Sequence, residues 1–154
     1  MKKLLIVALA AILILATFTG CAKATYISGE TFTKVLKDKG FTVVNGKESW
    51  YSGSDRVKEA FIAASPDDWQ IEYYRLGSKD AASSVFSQNT GEDKTSGNGT
   101  YSKTRSGDSA VFKRTGSDTY CVVVQAGTMV IYCEAPKEYK EDVDQIFVDL
   151  GVFS

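Results

Sequence analysis

Between Thr100 and Glu134 the chain carries four β-prone runs, and the connections between them are too short for anything but a reversal. The runs are Thr100–Arg105, Ala110–Arg114, Thr119–Gln125 and Thr128–Glu134, separated by Ser106-Gly107-Asp108, Thr115-Gly116-Ser117-Asp118 and Ala126-Gly127. Parallel neighbours need a crossover of roughly a dozen residues or more, so these runs are predicted to pair antiparallel, as a meander.

The rest of the body surrounds that meander with helices and further strands. Ser28 can cap a helix over Glu30–Lys39, whose Phe32, Val35 and Leu36 share a face, and Gly40 and Phe41 supply its stop. Phe41–Val44 reads as a short strand ended by Asn45-Gly46. Val57–Ala64 and Trp69–Leu76 follow, the second alternating with Trp69, Ile71 and Tyr73 on one face and Gln70, Glu72 and Tyr74 on the other. Ser78 caps a helix with Ala81, Ala82, Val85 and Phe86 as its stripe, and the polar run Gln88–Thr100 is expected to be a mobile loop. Pro136 opens a last helix on which Tyr139, Val143, Ile146, Phe147 and Leu150 recur at helical spacing. The expected class is α+β: an antiparallel sheet of about six to seven strands with helices packed on one face, in the order α-β-β-β-α-β-β-β-β-α. Residues 28–154 are read as a single domain.

Composition removes several function classes. The chain of 154 residues has 18 Lys and Arg against 19 Asp and Glu, so it lacks the basic surplus that a nucleic-acid partner requires. It has no His, which takes away the commonest general base and the commonest zinc ligand together. No cofactor or metal is expected from the ligand-type residues.

The N-terminus reads as an address. Met1-Lys2-Lys3 precedes an uncharged run from Leu4 to Phe18. As a helix that run spans about 22 Å, short of the roughly 30 Å hydrocarbon core, which suits the apolar region of a secretory signal better than a membrane span. Phe18-Thr19-Gly20-Cys21 then resembles the lipobox of bacterial lipoproteins, although Phe18 stands where an aliphatic residue is usual. The resemblance implies a signal peptide over residues 1–20, cleavage after Gly20 and acylation of Cys21. Ala22-Lys23-Ala24 offers a rival site for ordinary cleavage, which would release a soluble domain starting at Thr25.

Loss of Lys2 and Lys3 leaves 16 basic against 19 acidic side chains, a net of −3. Attachment to an anionic bilayer would then come from acyl chains, of which two or more are needed for stable anchoring. Residues 21–27 are read as the lipidated N-terminus and a short tether, reaching about 20 Å at ~3.3 Å per residue. The body loosely resembles the uncharacterised domains of small Gram-positive lipoproteins, a pattern-level likeness that assigns no functional residues.

Two features of the body are candidates for function. Cys121 and Cys133 flank the Ala126-Gly127 reversal, and the loop length decides where they meet. A three-residue loop centred on Gly127 sets them opposite each other, where a disulfide is possible at a non-hydrogen-bonded pair. One with Gly127 last sets them diagonally on one face, and a two-residue loop puts them on opposite faces and forbids the bond. Two buried thiols are the alternative. Trp50-Tyr51 lies in a segment otherwise free of apolar side chains, so these rings either contact a partner or fold back over a sheet edge. Tyr26, Tyr73 and Tyr74 are read as packing residues.

The expected function is that of a lipid-anchored, extracytoplasmic binding or accessory module. It is held to the membrane by the N-terminal lipid, with an envelope protein or cell-wall polymer as partner and no nucleic acid. The alternatives are a soluble secreted domain and an envelope hydrolase. The hydrolase would use two carboxylates brought together from distant positions, such as Asp67-Asp68 or the acids of the last helix.

Overall fold

Seven strands form one antiparallel sheet in the order β1-β2-β3-β7-β6-β5-β4. In this computed structural model, which describes residues 23–91 and 99–153, the elements are α1 (Gly29–Asp38), β1 (Thr42–Asn45), α2 (Gly46–Trp50), β2 (Val57–Ala64), β3 (Gln70–Leu76) and α3 (Lys79–Asn89). They continue as β4 (Thr100–Ser106), β5 (Ser109–Thr115), β6 (Thr119–Ala126), β7 (Met129–Pro136), a 3-10 turn (Lys137–Tyr139) and α4 (Lys140–Asp149). The signal region 1–20 and Cys21 lie outside the described residues, as does the larger part of the Gln88–Thr100 loop. Of that loop, Gln88 and Asn89 belong to α3, and Thr100 begins β4.

The α+β class and the C-terminal meander are as expected, but the helices are not all on one face. Alternation in β6 sends Val122 and Val124 to one side and Cys121 and Val123 to the other. On the first face α1 contributes Phe32 and Leu36 and α4 contributes Val143, Ile146 and Phe147. On the second, α3 lays Ala82 and Phe86 against Phe112, Val123 and Val130, and the short helix α2 sits over Ile62 at the β1–β2 edge. The physical reason is connectivity. β3 and β4 are not neighbours, so α3 carries the chain across the sheet from β3 to the far edge, and it takes the face that α1 and α4 leave open. Gly46–Trp50, read as a turn and loop, closes instead into the short helix α2, capped by Asn45 Oδ1 accepting from the Lys47 N–H at 3.0 Å.

Residues 24–27, read as tether, belong to the body. Ala24 pairs with Phe153 as an isolated antiparallel bridge, and the Thr25 N–H donates to Val152 O at 2.9 Å. Ser109 Oγ accepts from the Ala24 N–H at 2.8 Å and donates to Ala24 O at 3.3 Å, while Tyr73 Oη donates to Ile27 O at 3.1 Å. Ala24 and Ile27 are buried with the first-face core. These contacts are long-range in sequence, which is why composition alone presented the segment as a spacer. Tyr26, between them, turns outward and is 47% exposed, so it is not a packing residue.

Candidate functional site

The second face of the sheet is only partly covered. α3 crosses it near the ends of the strands that hold Leu76, Val130 and Ala110, and among the described residues no helix covers the opposite half of β3, β7 and β6. Register brings Glu72 beside Tyr132 and Gln70 beside Glu134 across the β3–β7 pair. Tyr74 Oη donates to Glu72 Oε2 at 2.6 Å, Gln70 Nε2 donates to Glu72 Oε1 at 2.6 Å, and Tyr132 Oη donates to Glu134 Oε2 at 2.9 Å. Burial, and then the hydrogen bonds to these carboxylates, hold both phenols well above the usual tyrosine range. They therefore stay protonated donors, with ring faces that are half-buried rather than covered.

Trp50 and Tyr51 join this surface from the β1–β2 side. Tyr51 stands edge-on to Tyr74, with ring centroids 5.8 Å apart, and packs on the second-face core. Its ring thus finds apolar cover while lining a groove of about 810 Å³ between α3 and the start of β2. Trp50 is 61% exposed. Its indole folds back over Gly46: a Cβ built there would lie 2.9 Å from Trp50 Cε3 and 3.4 Å from Ile62 Cγ1. Exposed Val44 and half-buried Ile62 adjoin it on the same face. The sequence named Trp50 and Tyr51, but not Glu72, Tyr132 or Glu134; Tyr74, read as a packing residue, does pack on the second-face core and also donates to Glu72. The alternation of β3 already separated Gln70, Glu72 and Tyr74 from the core side, and it was the one signal available.

Chemically the surface combines aromatic rings, hydroxyls and carboxylates. Rings with hydroxyls beside carboxylates can stack on sugar faces or apolar side chains and accept hydrogen bonds from hydroxyl or amine donors. Glu72 and Glu134 rise side by side from one sheet face, as diagonal neighbours across a strand pair, which lie roughly 7–8 Å apart with Cβ atoms somewhat closer. They do not face each other over a cleft. A second cavity of about 540 Å³ lies at the same end of the sheet, between the β2–β3 turn and the start of β6, with Asp68, Asp118 and Glu134 at its wall. Among the described residues no three His, Cys, Asp or Glu side chains are grouped to hold a metal ion.

The two cysteines are not joined. β6 and β7 are connected by the two-residue turn Gly127-Thr128, with Ala126 opposite Met129. That register sets Cys121 against Glu134 and Cys133 against Val122, so the two sulfurs point to opposite faces. The possible disulfide is thereby excluded on geometry. Burial pushes the Cys133 thiol far above its usual range, so it behaves as a small hydrophobe.

Among the described residues no helix is long and apolar enough to cross a membrane. Compared with known protein families, curated proteins and solved structures, the chain matches none.

Proposed function

We propose that the chain is a lipid-anchored extracytoplasmic module, acylated at Cys21, that binds an envelope protein or polymer through the open half of the sheet's second face. The observation that carries the anchoring is the clamp on Ala24. Cleavage after Ala24, the rival site, would remove the residue whose N–H and C=O both meet the buried Ser109 hydroxyl. Cleavage after Gly20 retains it. Only Ala22 and Lys23 would then separate the acylated residue from the body, a reach of about 10 Å at ~3.4 Å per residue.

The clamp also orients the body. Ser109 lies at the end of the sheet that carries the β4–β5 and β6–β7 turns, whereas Gln70, Glu134 and Asp118 lie toward the other end. A strand of eight residues such as β6 spans about 27 Å at ~3.4 Å per residue. The anchored end would face the bilayer and the tyrosine–carboxylate surface would project away from it, within reach of a partner in the envelope.

The test has two arms. Wild type is expected in the detergent phase of a Triton X-114 partition and Cys21→Ser in the aqueous phase or as uncleaved precursor; two water-soluble proteins would end the acylation reading. Crosslinking in intact cells is expected to recover less partner with Trp50→Ala than with wild type, and equal recovery would remove Trp50 from the contact.

A further inference from the structure

We propose that the outer edge of β4 is a docking site for an extended acidic strand, which would extend the sheet to eight strands. Among the described residues β4 pairs with β5 on one side only, and all seven of its residues are exposed. The two-residue turn Gly107-Asp108 makes Ser106 and Ser109 the hydrogen-bonded pair that closes the hairpin. Pairs alternate from there, so Tyr101, Lys103 and Arg105 turn their N–H and C=O groups away from β5, giving three donors and three acceptors in register.

Natural edge strands are blunted by proline, bulges, brevity, edge lysines or inward-pointing charges. β4 has no proline, keeps an unbroken register over its seven residues, and is nearly twice the length of β1 at the opposite edge. The one such device it carries is a pair of inward-drawn cations, which repels a basic strand and not an acidic one. Lys103 Nζ lies 5.4 Å from the Phe86 ring centroid and donates to Thr90 Oγ1 at 2.9 Å, and Arg105 Cζ lies 5.3 Å from the same ring.

Charge decides the occupant. Lys103 and Arg105 sit two apart on one face of the strand, with Tyr101 next in line and Arg114 directly opposite Tyr101 on β5. Among the described residues no carboxylate pairs with Lys103, Arg105 or Arg114, and the buried Arg114 Nε has no hydrogen-bond partner. The other face of β4 presents only hydroxyls, from Thr100, Ser102, Thr104 and Ser106. A strand with carboxylates at alternate positions would set them against the cations and its remaining side chains against the hydroxyls. A second copy of this chain would instead bring Lys103 and Arg105 against the same residues across a two-fold axis, a like-charge contact that is destabilising. This site rests on the edge and its cations, independently of Cys21 and of the tyrosine–carboxylate surface.

The probe is a fluorescein-labelled eight-residue peptide of alternating glutamate and valine, with a lysine-for-glutamate version as control, followed by anisotropy with the full chain. The acidic peptide is expected to bind, more weakly as salt rises, and the lysine peptide at least tenfold less well. Lys103→Glu with Arg105→Glu should reverse that preference. Tyr101→Pro removes an outward N–H without touching the β4–β5 ladder and should weaken the acidic peptide at least tenfold. Equal binding of both peptides, no binding of either, or a preference unchanged by the double variant would overturn the proposal. So would self-association of the chain that Tyr101→Pro abolishes, which assigns the edge to a second copy.

Discussion

Ser109→Ala isolates the clamp that joins the N-terminal segment to the body. The hydroxyl is buried and serves both backbone groups of Ala24, so the substitution orphans one donor and one acceptor. Each orphaned buried group costs about 1–3 kcal/mol, so a segment that stayed in place would lose roughly 2–6 kcal/mol. Detachment of residues 24 and 25 is the competing response. It gives up burial of one methyl, about 0.8 kcal/mol, and the Thr25–Val152 hydrogen bond, about 1 kcal/mol. It regains about 1–2 kcal/mol of backbone entropy for each residue released. With the two Ser109 hydrogen bonds also gone, about 2 kcal/mol together, the net loss is about 0–2 kcal/mol, so detachment is the cheaper response. Ile27 is expected to stay docked, because the Tyr73 hydrogen bond to its carbonyl does not involve Ser109. Hydrogen exchange should show the amides of Ala24 and Thr25 losing protection, and urea unfolding should show the modest loss with little change in slope. Unchanged exchange at residues 24–25, or a loss above about 4 kcal/mol with the segment still protected, would refute the reasoning.

Two further outcomes follow from the core. Asp144 accepts from Tyr120 Oη and Lys113 Nζ at 2.7 Å each and from Lys140 Nζ at 3.1 Å. Burial raises its affinity for a proton, but these donors outweigh that and hold the carboxyl below the usual aspartate range. Its contribution is thus complete above the unfolded value near pH 4 and is lost as pH falls through the lower folded value. Asp144→Asn should cost about 1–3 kcal/mol at pH 7 and flatten the decline in stability between roughly pH 4 and 2, read by urea unfolding across that range. A parallel decline in both proteins would remove Asp144 from the acid response. For the cysteines, a reductant should leave the thermal midpoint unchanged, and Cys133 should alkylate only on unfolding; a fall in midpoint with reductant would contradict the opposite-face register.

The meander was legible because a reversal of two to four residues leaves a strand only one way to go. The partner of β3 was not. Nothing local tells β3 that its neighbour is β7, more than fifty residues away, so the meeting of Glu72 with Tyr132 and Gln70 with Glu134 could not be read. Helical periodicity showed that α3 has an apolar stripe, but a stripe does not say which face of a sheet it seeks. The cysteines turned on one residue. A two-residue reversal, whether at Ala126-Gly127 or at Gly127-Thr128, puts them on opposite faces, and one more loop residue would bring them to the same face, because the strand period is two. Gly127 at φ +59° marks the first position of the turn, where a side chain would be strained.

The open half-face is a consequence of how little helix the chain has for that side. Seven strands at about 4.8 Å spacing make a sheet roughly 29 Å wide. The eleven residues of α3 span about 16 Å, with a breadth near 10 Å. That helix, with the five-residue α2 at the β1–β2 edge, cannot cover the face, whereas α1 and α4 divide the other between them. A sheet left half open must carry side chains that tolerate water and still pack, and tyrosines tied to carboxylates meet both demands. Each ring covers its neighbours, and each hydroxyl is paired instead of orphaned. Those residues remain at the surface with polar groups already oriented. A ligand meeting them would therefore lose little side-chain freedom, which is the physical support for the proposed contact at this face.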